Sequence, residues 1–269
     1  LAQMRDEGSP SLDRGSLDRA LMGELSSVRA LEEMGEPEAV IGVDSAANSR
    51  IQARLAYSRG DLDAARLYWQ QQQSPPEAMR DLAMLAESLA FAGDNLALSY
   101  IRRLRQEKPL EADAILVQWY RVQQRSDKAF EHALATIQGL RLDGQVYRPL
   151  IIRTLDSILD LARSDRVRGR EVFQALEVPF AMHVVDETRL RLRVELAFFL
   201  DIAELCAGVL APFEPDVPWD HRFLAQRYAC YSVVEHELAN RARADLTRYE
   251  SASAPSLGRG LNPQVGFER

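Results

Sequence analysis

Apolar positions recur at helical spacing along most of the chain. Leu62, Ala65 and Trp69 fall at i, i+3, i+7, and Ala129, Ala133 and Ile137 at i, i+4, i+8, so each set marks one face of a helix. Leu17, Leu21, Leu25 and Val28 form a similar stripe, which predicts an amphipathic helix over 16–34 that caps the first of the helix pairs after it. Arg189, Arg191 and Arg193 alternate with Leu190, Leu192 and Val194 in a strand-like way. The apolar run continues to Cys206, and that length favours helix there too.

Turn residues punctuate these stripes at a fixed interval. Gly60-Asp61, Gly93-Asp94 and Ser126-Asp127 stand 33 residues apart, each followed by a helix containing alanines. The small residue can end one helix and the aspartate can cap the next. Pro75-Pro76 and Lys108-Pro109 stop helices between the units. Ala64, Ala65, Ala97 and Ala133 allow close backbone approach, while Tyr68, Trp69, Ile101 and Phe130 fill the space between layers. One helix pair cannot bury such a stripe alone, so stacked pairs forming an α-solenoid are expected. Ser164-Asp165 breaks the interval, which places an insertion in the 142–148 loop with Asp143-Gly144. A fourth pair is predicted at 148–162 and 167–176, and a shorter fifth within 186–210. The last pair is predicted at 221–233, capped by Asp220, and 237–249. The expected organisation is a disordered 1–15, a helical-repeat domain over 16–250 and a disordered tail over 251–269, with regular repeats at 45–140 and irregular ones at 141–250.

This pattern resembles the tetratricopeptide repeat. The Gly60-Asp61 turn is followed by Ala65 and, four residues on, Trp69. A small residue seven before the turn is met by Ala53 and Ala86, but Trp119 departs from it, and Leu98 and Glu131 replace the later alanine. The resemblance implies an all-α, right-handed solenoid of about six antiparallel helix pairs, whose first helices line a concave face. Its outward-facing positions correspond to Arg50, Arg54, Tyr57 and Ser58, then Ala83, Glu87, Ala90 and Phe91, then Leu116, Tyr120, Gln123 and Gln124. From these, Arg50, Arg54, Tyr57, Glu87, Phe91, Tyr120, Gln123 and Gln124 form a candidate strip for a peptide, through aromatic contact and charge-assisted hydrogen bonds. The alternative is that the aromatics pack between units. A second resemblance joins 179–189 and 212–249 to helical-repeat tails that follow spermidine-synthase-like domains, some fused to transporter-like membrane segments. It implies an accessory role, because the nucleotide-binding glycines and catalytic acids of that family have no counterpart in these residues.

Composition narrows the function classes. Forty acidic against 33 basic residues give a net charge of -7, which disfavours sequence-independent nucleic-acid binding. The most apolar stretch, 194–210, is interrupted by Glu195, Asp201 and Glu204 and is not expected to insert in a membrane. Leu1 in place of Met suggests a domain cut from a longer chain, and the opening residues lack a basic-then-apolar leader pattern. The expectation is a cytoplasmic protein with Cys206 and Cys230 as reduced, buried thiols, a disulfide between neighbouring helices being the alternative. His132, His183, His221 and His236 are too dispersed for a metal site, and neither a phosphate-binding loop nor a nucleophile elbow occurs. Arg102, Arg103, Arg105 and Lys108 suit a helix C-terminus; Arg163, Arg166, Arg168 and Arg170 suit a solvated turn or an acidic partner. The expected function is a non-catalytic scaffold binding a protein or peptide, with no cofactor. The alternatives are the accessory domain and a small-molecule sensor with its ligand between Pro179 and Trp219.

Overall fold

The computed structural model describes residues 45–200 and 202–253, so the expectations for 1–15, for the helix at 16–34 and for the tail beyond Ser253 lie outside the described residues. Among the described residues the chain is entirely helical, without strands, and its helices pack against their neighbours. The first are α1 (Ser45–Ser58), α2 (Leu62–Gln70), α3 (Met79–Phe91) and α4 (Ala97–Glu107). Next come α5 (Pro109–Val122), α6 (Ser126–Leu140), α7 (Arg148–Arg163) and α8 (Arg166–Ala175). The remainder are α9 (His183–Leu200), α10 (Ala203–Leu210), a 3-10 turn at Ala211–Phe213, α11 (His221–Val233) and α12 (Ala239–Ser253). The alternating arginines at 189–193 therefore sit on a helix, as the length of the run required. Ser251–Ser253, assigned to the expected tail, belong to α12.

Capping explains several of the boundaries. Asp61 accepts from the Ala64 N–H at 2.9 Å, Asp165 from Val167 at 2.8 Å and Asp220 from Phe223 at 2.9 Å. Each satisfies one of the donors that a helix start leaves orphaned, worth about 1 kcal/mol. Pro109 opens α5 immediately after α4, where its missing N–H costs nothing.

The third turn departs from the expected register. Gly60 and Gly93 take φ of +81° and +70°, and the equivalent residue in the next unit is Gln124, at +56°. The closing hydrogen bonds agree: Asp61 N–H reaches Ala56 O, Asp94 N–H reaches Leu89 O, and Arg125 N–H reaches Tyr120 O. Ser126-Asp127 is therefore not the turn but the start of α6. The left-handed position normally selects glycine, so a glutamine there hides the turn from a search for small residues. With the corrected register, the alanine five residues after the turn is Ala129, fully buried like Ala65, and position minus seven is the buried Val117 rather than Trp119.

Two compact units divide the chain after Leu192. In the first, α1–α2, α3–α4, α5–α6 and α7–α8 pack as chain neighbours, and α3 also packs on α5 and α5 on α7. Fully buried Ala53, Ala65, Ala86, Ala112 and Ala133 sit among Leu82, Leu89, Ile115, Ile137 and Leu155, so helices approach closely and large side chains interleave. The second unit is small and cross-linked. Cys206 of α10 and Cys230 of α11 form a disulfide, which corrects the expectation of reduced thiols. Two cysteines in separate helical stripes carry no pairing signal; only the packing of α10 on α11 brings them together. The same unit buries Arg227 completely. Its guanidinium donates to both Glu214 oxygens at 2.8 and 2.9 Å and to Asp245 at 2.8 Å, while the Tyr231 hydroxyl donates to Glu214 at 2.6 Å. Burial opposes the Glu214 charge, but these hydrogen bonds outweigh it and lower its pKa.

Candidate functional site

The successive contacts of α1, α3, α5 and α7 create the face on which the candidate strip was expected. Three strip residues are consumed inside it. Arg54 is buried and clasps Asp81 with two charge-assisted hydrogen bonds, at 2.8 and 2.6 Å. Tyr57 is fully buried and donates its hydroxyl to Glu87. Glu87, itself buried, also receives Arg153 from α7 in a bidentate pair, at 2.9 and 2.7 Å. Arg54, Tyr57 and Glu87 therefore hold helices together instead of facing a partner, which corrects their placement in an exposed strip. The reason is satisfaction: a buried carboxylate needs donors on each oxygen, and the nearest ones belong to neighbouring helices.

A column of two stacked rings flanked by two guanidinium groups extends this knot. Arg153 lies over the Tyr57 ring at 4.3 Å, Tyr57 stacks on Tyr147 at 5.7 Å, and Arg80 lies over Tyr147 at 5.4 Å. Each cation meets the negative face of a ring in a partly dry environment, where such contacts are strongest. Burial first, and the charge of Glu87 second, push the Tyr57 phenol well above its ordinary pKa. Burial does the same to Tyr147. For Arg153 burial works against the charge, but the Glu87 hydrogen bond and charge outweigh it and raise the pKa. All three therefore keep one protonation state across physiological pH, and the column serves as a structural joint rather than an acid-base pair.

The other strip residues separate. Phe91 is 46% exposed. Gln123 is exposed but tied back, donating to Gly93 O at 3.3 Å, and Gln124 is the turn residue itself. Tyr120 is half-buried, stacked on His132 at 5.4 Å and covered by Arg125 at 5.2 Å. Arg50 is half-buried on α1. Of the other mapped positions, Ala83, Ala90 and Leu116 are buried and Ser58 bonds its own helix at Leu55 O.

Counting from Gln124 in place of Ser126 brings Ala114 and Gln118 to the face, and these line a cleft of about 190 Å³ across α3, α5 and α7. Phe91 stands at its edge and Leu150 at its floor, with Arg153 of the polar knot on one wall. Gln118 Oε1 accepts from the Ser157 hydroxyl at 3.0 Å. Asp156 supplies a carboxyl whose pKa is raised by partial burial and then by Asp160. Sequence reasoning missed Gln118, Arg153, Ser157 and Asp156. Gln118 was within reach had the turn been assigned to Gln124; Arg153 carries no local signal.

The Ser157 hydroxyl in the cleft is committed to Gln118, and among the described residues no group of histidine, cysteine and carboxylate side chains is arranged to hold a metal ion. His132 instead pairs with Asp113 at 2.9 Å. In the arginine-rich turn, Arg168 binds Asp127 and lies over Phe130 at 5.5 Å, so this part of the cluster is engaged within the fold. Among the described residues no helix is long and apolar enough to cross a membrane. No family model, curated protein or solved structure matches the chain.

Proposed function

We propose that the chain is a non-catalytic helical-repeat scaffold, a right-handed stack of tetratricopeptide-like pairs, that seats a segment of a protein partner in the cleft across α3, α5 and α7. The observation that carries this reading is Phe91: a large apolar side chain left exposed at the edge of a cleft whose walls are fixed by the Glu87–Arg153 pair. An exposed aromatic beside a preorganised polar surface is the usual form of a peptide anchor. The Asp156 carboxyl on this lining favours a segment that offers a basic residue. The Cys206–Cys230 bond supports placing the chain in an oxidising compartment, against the cytoplasmic expectation.

The test is capture of partners by the full chain and by Phe91→Ser and Gln118→Ala variants, followed by calorimetry on peptides from the captured region. Loss of the Phe91 ring should weaken a seated peptide by about tenfold or more. Partners that bind both variants as well as wild type would refute the cleft. Substituting Arg54 and Tyr57 tests packing instead, since neither faces solvent.

A further inference from the structure

A larger cleft lies elsewhere in the first unit, beneath the loop that precedes α7. It encloses about 420 Å³ and is lined by Met79, Ala83, Leu104, Tyr147 and Met182, together with Arg80, Lys108 and Glu111. That volume falls within the range of small-molecule sites, roughly 300–1,000 Å³. Only Met182 comes from the 179–219 segment where a sensor site was expected; the cleft is built mainly on α3, the start of α5 and the loop at 144–147.

Glu111 makes this cleft unlike an ordinary surface dimple. It is buried, at 4% exposure, and its Oε2 has no hydrogen-bond partner among the described residues. Backbone N–H groups of Glu111 and Tyr147 and the charge of Lys108 favour its ionised form, yet burial outweighs them and raises the pKa. Nearly every buried carboxylate oxygen in a folded protein has a donor, so an unpaired one on a residue that lines a cleft leaves room for a donor from outside the fold. Three residues away, Lys108 at the entrance to α5 donates to Gln145 O at 3.3 Å, and its ammonium has three donors to give. The lining also holds Met79 and Met182, whose side chains adapt to varied shapes.

We propose that this cleft binds a small zwitterion of the α-amino-acid class with an apolar side chain. Its ammonium donates to the Glu111 carboxylate, its carboxylate lies against Lys108, and its side chain lies on Met79 and Met182. The pairing of charges decides the class. A simple amine would satisfy Glu111 but face Lys108 with no anion to offer, and a polycation would be repelled by Lys108. A simple acid would meet Lys108 but leave the Glu111 oxygen unpaired.

The experiment is calorimetric titration of the full chain with leucine, methionine and phenylalanine, with isopentylamine and 4-methylpentanoate as the two halves of leucine, and with 1,4-diaminobutane. At least one amino acid should bind, with each half-ligand about tenfold or more weaker, the usual effect of losing a hydrogen bond to a charged group. Glu111→Gln, which keeps the shape and removes the charge, should weaken the amino acid by a similar factor, and Lys108→Met should weaken it while leaving isopentylamine no weaker. Circular dichroism confirms that each variant is folded. No binding by any of the three amino acids, binding indifferent to Glu111→Gln, or tighter binding of the diamine would overturn the proposal. Peptide capture at the α3–α5–α7 cleft is independent of every one of these outcomes.

Discussion

Removing Arg153 should destabilise the first unit far more than its surface position suggests. Its side chain is 27% exposed, but the Glu87 carboxylate that it neutralises is only 5% exposed. In Arg153→Met, Glu87 keeps the Tyr57 hydroxyl and loses both guanidinium hydrogen bonds, at 2.9 and 2.7 Å. Breaking a buried pair from one side costs about 3–5 kcal/mol; the partial exposure of Arg153 places the expectation near the lower end, ~3 kcal/mol. That is a large share of a total stability of about 5–15 kcal/mol. With a urea slope of ~2–3 kcal/mol/M, the unfolding midpoint should fall by ~1–1.5 M, read by circular dichroism at 222 nm. The triple variant Tyr57→Phe, Glu87→Met, Arg153→Met removes every polar member of the knot and should recover to within about 1–2 kcal/mol of wild type, since apolar replacement of a whole buried network is often neutral. A single variant within ~0.3 M of wild type, or a triple variant no better than the single one, would refute the claim that the cost arises from an orphaned buried charge.

Three other outcomes are tied to particular residues. Gln124→Gly should stabilise the protein by about 0.5–1 kcal/mol by relieving a left-handed glutamine, whereas Ser126→Gly should destabilise it by a similar amount; the reverse pattern in thermal melts would restore Ser126 as the turn. Reducing the Cys206–Cys230 bond, or replacing both cysteines by alanine, should cost the second unit ~3–4 kcal/mol for a closed loop of this length, seen as a melting temperature that reductant lowers in the wild type and that is equally low with or without reductant in the alanine variant. Glu111 has a raised pKa when folded, so its protonated form is favoured in the native state. Its penalty is absent below the ordinary value of 4.5 and grows as pH rises through the raised one, with Lys108 opposing and Asp143 reinforcing the shift. The stability of Glu111→Gln relative to wild type should therefore increase with pH in paired urea titrations, and a gap independent of pH would contradict the burial argument.

The sequence alone determined the helical class and most helix positions, because both depend on neighbours within a few residues. The 3.6-residue stripe, the aspartate caps at Asp61, Asp165 and Asp220, and the proline at the start of α5 act locally, so α7, α8 and α11 fall where the pattern placed them. The turn at Gln124 was hidden, since its conformation is imposed by the closing bond from Arg125 to Tyr120 and not by a residue that prefers it. The site depended on tertiary structure throughout. Glu87 and Arg153 are 66 residues apart, and no periodicity relates them. Whether Tyr57 meets solvent or Glu87, whether Cys206 stays a thiol, and whether the Glu111 oxygen finds a donor are decided by which helices pack side by side. Burial and charge pairing are properties of that packing, so they become visible only once the chain is folded.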